Sequence, residues 1–180
     1  TTQETLEREL TKYLLKYGHV NYQVLDGRDV VDCNVARFIF EELDADELQF
    51  DIDVYRTILD CYRKEWEIRG DGVEVPMHIF INHHDPDVSR VSIELFTSDD
   101  NYVISKIWEQ KEVHIESDEE QLAEGVPKAM VLFKWRALDK RMAELKALMA
   151  EREDNEDIVA QFAKYQSVRV EIAKTAGRLI

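Results

Sequence analysis

The segment VPKAMVLFKWRALDKRMAELKALM, residues 126–149, decides the fold class. A large apolar side chain recurs in it at alternating steps of four and three residues. The positions are Val131, Trp135, Leu138, Met142, Leu145 and Met149. This heptad spacing is typical of a helix that buries one stripe of its surface against a second helix. We therefore predict a long helix with a one-sided seam.

A second helix with a matching seam is predicted after the polar segment REDNED, residues 152–157, in which Asp154 or Asn155 can act as the N-cap. Its seam positions are Ile158, Phe162, Tyr165, Arg169, Ile172, Ala176 and Leu179. Two helices with matching seams and a short polar link form an antiparallel helical hairpin. The apolar side chains of this helix cannot all lie in a single seam; they include Phe162, Val168, Val170, Leu179 and Ile180. The surface left over is expected to dock another protein or to pack back on residues 1–127.

The N-terminal part of the chain begins with a helix whose N-cap is Thr2 or Thr5 and whose end is Gly18. The period then changes, because Val20, Tyr22 and Val24 alternate with polar residues. An Asp-Gly pair at 26–27 provides a turn. A β-hairpin is predicted here.

Several helices follow the hairpin, each introduced by a residue that helix starts prefer. The predicted starts are Asn34 or Asp32, Asp51 or Asp53, Pro76, and Asp85 followed by Pro86. A further helix is predicted over NYVISKIWEQKEVHI, residues 101–115. Ser117 and Glu120 then form a capping-box pattern that starts the long heptad helix, in which Pro127 predicts a bend or a later start.

The fold class predicted from these patterns is mainly α. It comprises a helical bundle with a small β-hairpin near the N-terminus, then a long helix and a C-terminal antiparallel helical hairpin. We divide the chain into an acidic bundle over residues 1–127 and a helical hairpin over residues 128–180. Residues 1–127 carry 12 Lys and Arg against 30 Asp and Glu, whereas residues 128–180 carry 11 against 8. This division argues against nucleic-acid binding and favours a protein partner.

The remaining composition excludes other classes. Cys33 and Cys61 are far apart and form neither a zinc motif nor a disulfide framework, so a reducing cytoplasm is expected. No segment approaches the roughly 20 consecutive apolar residues of a membrane span. The first residues already follow a helical pattern without an initiator Met, which indicates a piece of a longer protein.

The sequence His83-His84-Asp85 suggests a catalytic metal site of the phosphohydrolase type. On one helix, however, His78 lies about 140° from His83 and about 240° from His84, so these side chains do not share a face. Metal-binding helices use residues four apart, and the residue four after His78 is Asn82. We interpret the segment as the end of one helix, followed by Asp85 as the N-cap of the next. No metal ligand, catalytic residue or cofactor is assigned.

Nearly the whole chain resembles a known family, segment by segment and in order. The segments include ERELTKYLLKYG (7–18), VARFIFEELDADELQF (35–50), FINHHDPDVSRVSIEL (80–95), VPKAMVLFKWRALDKRM (126–142) and YQSVRVEIAKTAGRLI (165–180). They resemble the C-terminal region of bacterial DNA primases of the DnaG type, in the version found in Bacteroidetes. The resemblance implies a non-catalytic domain that docks on the N-terminal domains of the hexameric replicative helicase, of the DnaB type. In the family, catalysis belongs to upstream domains.

The resemblance directs attention to the last heptad helix as the contact with the helicase. We predict partner-binding residues at Ile158, Phe162, Tyr165, Arg169, Ile172, Arg178 and Leu179. The spacing alone does not decide which of them face the partner and which face the seam. Two alternatives stay open, a metal-dependent phosphohydrolase at His83, His84 and Asp85, and a homodimeric coiled-coil adaptor over residues 128–180.

Overall fold

The computed structural model describes residues 2–98, 118–151 and 156–179. Its described residues form seven helices and one two-stranded antiparallel sheet. The helices are α1 (Gln3–Tyr17), α2 (Val35–Ala45), α3 (Asp53–Arg69), α4 (His78–Ile81), α5 (Pro86–Thr97), α6 (Asp118–Glu151) and α7 (Glu156–Leu179). The strands are β1 (Asn21–Asp26) and β2 (Asp29–Asn34). The predicted fold class is confirmed. The predicted helix over 101–115 and the capping box at Ser117 lie outside the described residues.

Helix α1 occupies the centre of the bundle, where it packs against α2, α3, α5 and α6. Thr2 is its N-cap, and the Thr2 hydroxyl accepts a hydrogen bond from the backbone N–H of Thr5. Leu6, Leu10 and Leu14 form a single stripe that is almost fully buried. One amphipathic helix therefore organises the core of the first part of the chain.

The β-hairpin follows α1 directly and turns at Gly27, which has a φ of +66°. Only its base is buried: Tyr22 lies in the core, and the Asn34 amide donates to the side-chain oxygen of Asn21 at 3.0 Å. The Asn34 side chain also accepts from the Arg37 N–H and so caps α2. The prediction that Asn34 or Asp32 caps α2 is thus resolved in favour of Asn34.

The predicted N-cap of α3, Asp51 or Asp53, is wrong. The N-cap is Ile52, which makes no side-chain cap, and a buried carboxylate from another helix takes over. Glu7 on α1 accepts the backbone N–H groups of Asp51 and Ile52 at 2.8 and 2.9 Å. A carboxylate at the positive end of a helix is stabilised by the unpaired N–H groups there. A local capping pattern could not reveal a partner 44 residues away in sequence.

Helix α6 is buried on two sides over the first part of its length, so the predicted one-sided seam is incomplete. The side facing the bundle includes Val126, Met130, Phe133 and Ala137, which repeat at steps of four, three and four residues. The Phe133 ring meets Phe50 at 5.3 Å between centroids, edge to face. Two parallel heptad stripes on one helix indicate two packing partners.

The helix also runs unbroken through Pro127 from Asp118, so Pro127 does not mark its start. Neighbouring Gly125 allows a close approach to α1, because a Cβ atom there would lie 2.5 Å from the Tyr13 hydroxyl oxygen. The boundary proposed at residue 127 therefore falls inside a continuous helix. Met130 and Phe133, beyond that boundary, belong to the core of the bundle.

Basic residues of α6 meet the acidic segment around the end of α2. Lys134 is almost buried, and its Nζ lies 2.6 Å from a Glu42 carboxylate oxygen and 2.5 Å from one of Asp46. Farther along α6, Lys140 pairs with Asp51 at 2.8 Å. These contacts attach the long helix to the bundle by charge as well as by apolar burial.

The end of α2 is a Schellman motif with an unusual residue in it. The Leu48 N–H bonds to the Leu43 carbonyl at 2.9 Å and the Glu47 N–H bonds to the Asp44 carbonyl at 3.2 Å. Glu47 is left-handed, with a φ of +52°, at the position that glycine usually fills. Leu43 and Leu48 are both buried, which supplies the apolar contact typical of the motif.

We predict that Glu7→Ala lowers the free energy of unfolding by about 3 kcal/mol, because two charge-assisted hydrogen bonds from backbone N–H groups to the buried Glu7 carboxylate are lost. Chemical denaturation followed by circular dichroism measures this difference. Glu4→Ala is the matched control, because Glu4 is exposed on the same helix and the change removes the same charge. Equal stability of the two variants would show that Glu7 does not hold α3.

We predict that Glu47→Gly raises the free energy of unfolding by about 1 kcal/mol, because glycine adopts the left-handed conformation without the steric cost of a Cβ atom. Glu47→Ala removes the same carboxylate but keeps the Cβ atom, so it should show little of this gain. Thermal unfolding of both variants gives the comparison. A gain of similar size in both would assign the effect to the lost charge.

Candidate partner-binding surface

The α6–α7 hairpin is held together by an aromatic and ionic cluster near the middle of the two helices. The Arg169 guanidinium carbon on α7 lies 4.6 Å from the centroid of the Trp135 ring on α6. The same guanidinium pairs with Asp139 at 3.0 Å. A cation that stacks on an indole and also meets a carboxylate fixes the register of one helix on the other.

Two further contacts extend the seam toward the link between the helices. Arg141 donates to the Tyr165 hydroxyl at 3.1 Å, and its second terminal nitrogen donates to the Glu47 carbonyl of the bundle at 3.1 Å. The Lys146 ammonium lies 5.7 Å from the centroid of the Phe162 ring. Arg141, which belongs to α6, therefore contacts both α7 and the bundle. These contacts couple the position of α7 to that of the end of α2.

The predicted contact residues on α7 lie mostly on the side turned to α6. Ile172 is buried, and Ile158, Phe162, Tyr165 and Arg169 are half-buried. For Arg178 and Leu179, in the last turn of α7, the structure describes the backbone alone. The assignment of all seven residues to partner binding stays a prediction. The half-buried side chains of Phe162 and Tyr165 remain partly accessible beside the seam.

A second stripe on α7 faces solvent and is not predicted by the heptad spacing of the seam. It consists of Val159, Ala163, Gln166 and Val170, at steps of four, three and four residues. Val159 is 53% exposed and Val170 is 51% exposed. Val170 is therefore one of the apolar side chains that lie outside the seam. The repeat of Val159, Ala163 and Val170 is visible in the sequence, but the richer seam beside it conceals it.

Among the described elements, α6 is the one with which α7 makes extensive contact. Its outer stripe is therefore not covered by the described part of the bundle. The surface combines exposed valines with the basic side chain of Lys174 and the acidic side chains of Glu156 and Glu171. Such a mixture of apolar and charged groups is typical of the rim and core of a protein interface.

The His83-His84-Asp85 segment is a helix-to-helix corner, as the sequence interpretation has it. Asp85 is the N-cap of α5, and its carboxylate accepts the Asp87 N–H at 2.9 Å. His83 Nδ1 accepts the Asp85 N–H at 3.1 Å, so its proton resides on Nε2, which lies 3.7 Å from the Cys61 sulfur. The His83 and His84 rings stack with centroids 4.3 Å apart. Each polar atom named here has a structural partner.

Two side chains beside this corner have a pKa that burial raises. Burial raises the pKa of the Cys61 thiol, which works against a reactive thiolate. Burial also raises the pKa of Tyr62, on the same helix as Cys61, to about 12. Within the described residues, no three His, Cys, Asp or Glu side chains stand close enough together to hold a metal ion.

A cleft of about 470 Å³ opens between the end of α2 and α3. Its two arginines already have partners: Arg63 forms two bonds to Asp44 at 2.8 and 2.9 Å, and Arg56 pairs with Asp53. Paired cations leave little net positive charge for an anionic ligand.

Among the helices that the structure describes, none is long and apolar enough to cross a membrane.

We predict that Ile172→Ala loosens α7 from α6, because a buried branched side chain in the seam is lost, with a cost of about 2 kcal/mol. Hydrogen exchange of the α7 amides should accelerate while exchange in α1 stays unchanged. Val170→Ala removes a similar side chain two residues away on the exposed stripe and should leave α7 exchange close to wild type. Equal acceleration in both variants would contradict the assignment of the two faces.

One family model covers residues 1–179 of the chain, and it describes a domain of unknown function, DUF8430. No curated protein and no solved structure matches the chain. Since the matched region spans nearly all of the sequence, the chain belongs to the DUF8430 family.

Proposed function

We propose that this chain is the C-terminal helicase-binding module of a bacterial DNA primase. In this role it carries no catalytic residues. It binds the N-terminal domains of the hexameric replicative helicase in the cytoplasm and thereby recruits the primase to the replication fork. The proposal begins from the resemblance that runs through nearly all of the sequence in order. The α6–α7 hairpin is the structural observation that supports it best.

The hairpin suits docking because its last helix is supported on one side and open on the other. Seam contacts at Trp135, Asp139 and Arg141 hold α7 on α6. The outer stripe with Val159 and Val170 stays exposed. A preorganised helix with an exposed apolar stripe binds another helical surface without a large ordering cost. We propose this stripe, together with the accessible edges of Phe162 and Tyr165, as the main contact.

In this proposal the chain acts as a tether. Under the proposal, primer synthesis belongs to domains outside this chain, and the module raises the local concentration of those domains at newly unwound single strands. A tethered module needs only modest affinity when a ring offers several equivalent sites. The acidic composition fits this division of labour, because the net charge of −15 of the whole chain, concentrated in the bundle, repels the phosphates of the template strand.

We predict that the chain binds the replicative helicase of the same organism, and that Val170→Asp weakens binding at least tenfold, because a charge is placed in an apolar contact. Isothermal titration calorimetry with the helicase hexamer measures both affinities. Thr175→Asp is the matched control. It adds the same charge to an exposed position on the same helix, away from the stripe.

The two parts of the proposal fail in different ways. No complex with wild-type protein at tens of micromolar would contradict the helicase-binding function itself. A wild-type complex that Val170→Asp and Thr175→Asp weaken equally would retain the function but move the contact away from the outer stripe. Circular dichroism of each variant confirms that it is folded before binding is compared.

A further inference from the structure

The outer half of the β-hairpin exposes three large apolar side chains to solvent. Leu25 is 76% exposed, Val30 is 58% exposed and Val31 is 43% exposed. Leu25 and Val30 are direct cross-strand partners, so they form one patch on one face. The base of the hairpin is fixed by Tyr22 and Asn34, which are buried. The patch is therefore held in place on an ordered base.

The hydrogen-bond register shows which backbone groups point away from the sheet. The Val35 N–H bonds to the Val20 carbonyl across the base of the hairpin, so the pair Asn21 and Asn34 is of the non-hydrogen-bonded kind. The same kind recurs at every second pair, hence at Gln23 with Asp32 and at Leu25 with Val30. On β1, the N–H and C=O groups of Gln23 and Leu25 accordingly point outward.

The outer edges of β1 and β2 differ in whether their outward backbone groups have hydrogen-bond partners. On β2, the outward carbonyl of Asp32 already accepts a hydrogen bond from Arg37 at 3.3 Å. On β1, the outward backbone groups of Gln23 and Leu25 make no hydrogen bond to any part of the chain that the structure describes. Both residues are also exposed. The β1 edge is thus the open edge, and unprotected edges readily accept another strand.

The charge around this edge restricts what can bind there. The hairpin carries Asp26, Asp29 and Asp32 against a single Arg28. A segment with basic side chains would be attracted to it, and an acidic segment would be repelled. Apolar side chains on the same incoming segment would cover Leu25 and Val30, as strand pairing places alternate residues on one face.

We propose that the outer edge of β1 binds an extended segment of a partner protein, with alternating apolar and basic residues, as a third strand of the sheet. The incoming backbone bonds to Gln23 and Leu25, and its apolar residues pack on the patch formed by Leu25 and Val30. This site lies on the β-hairpin, where α6 also packs against β1, and it is distinct from the outer stripe of α7. It does not rest on the helicase assignment, so failure of helicase binding leaves it standing.

The test uses a phage-displayed library of random peptides selected on the full chain, followed by fluorescence polarisation with the enriched peptides. We expect enrichment of peptides that alternate apolar residues with Lys or Arg. Gln23→Pro removes the outward N–H at the centre of the β1 edge and should weaken their binding at least tenfold. Gln23→Ala removes the same side chain but keeps the N–H and should stay within twofold of wild type. Circular dichroism checks that both variants are folded.

Several results would overturn the proposal. These are no enrichment, enriched peptides without basic residues, or equal affinity for Gln23→Pro and Gln23→Ala. Two other occupants of the edge are also distinguishable. A concentration-dependent dimer in light scattering that Gln23→Pro abolishes would assign the edge to a second copy. Slow hydrogen exchange of the Gln23 and Leu25 amides in the free monomer would assign it to another segment of the same chain.

Discussion

The structure depends on the burial of helix α6 from two sides. One stripe of α6, which includes Met130 and Phe133, completes the core of the bundle. Another stripe, which includes Leu138 and Met142, packs against α7. Because the two stripes share one rigid helix, the position of α7 is set by the bundle even though the contacts of α7 are mainly with α6. A helix that is apolar on two sides links two layers that otherwise have little contact.

Buried charges add specificity to this arrangement. Apolar stripes tolerate sliding by one helical turn, whereas an ionic group with defined partners does not. Glu7 fixes the start of α3 relative to α1, and Lys134 fixes α6 relative to the end of α2. Removing either charge leaves its partners unsatisfied in a partly buried place. The acidic segment around residues 41–53 therefore does more than interact with solvent, since Glu42, Asp46 and Asp51 all meet α6.

The exposed surfaces fall into two regions with different chemistry. The outer stripe of α7 is a helical surface with exposed valines and charges of both signs. The tip of the β-hairpin offers apolar side chains, an open backbone edge and mainly negative charge. A helical face and a strand edge recognise different partner conformations. Under the two proposals, this chain would hold partners at two different surfaces.

Local signals in the sequence determined which elements form and where many of them begin. Thr2, Asn34 and Asp85 act on N–H groups within three residues of themselves, and heptad spacing depends only on the helical repeat. The helix-to-helix corner at His83-His84-Asp85 follows from such local rules.

Only the tertiary structure decided which stripe of a helix meets which neighbour. Glu7 caps a helix that starts far away in sequence, and the two stripes of α6 are distinguished only by what packs on each. The same reason placed Phe162, Tyr165 and Arg169 against α6 and left Val159 and Val170 exposed. Periodicity identifies the face of a helix, but long-range packing chooses its partner.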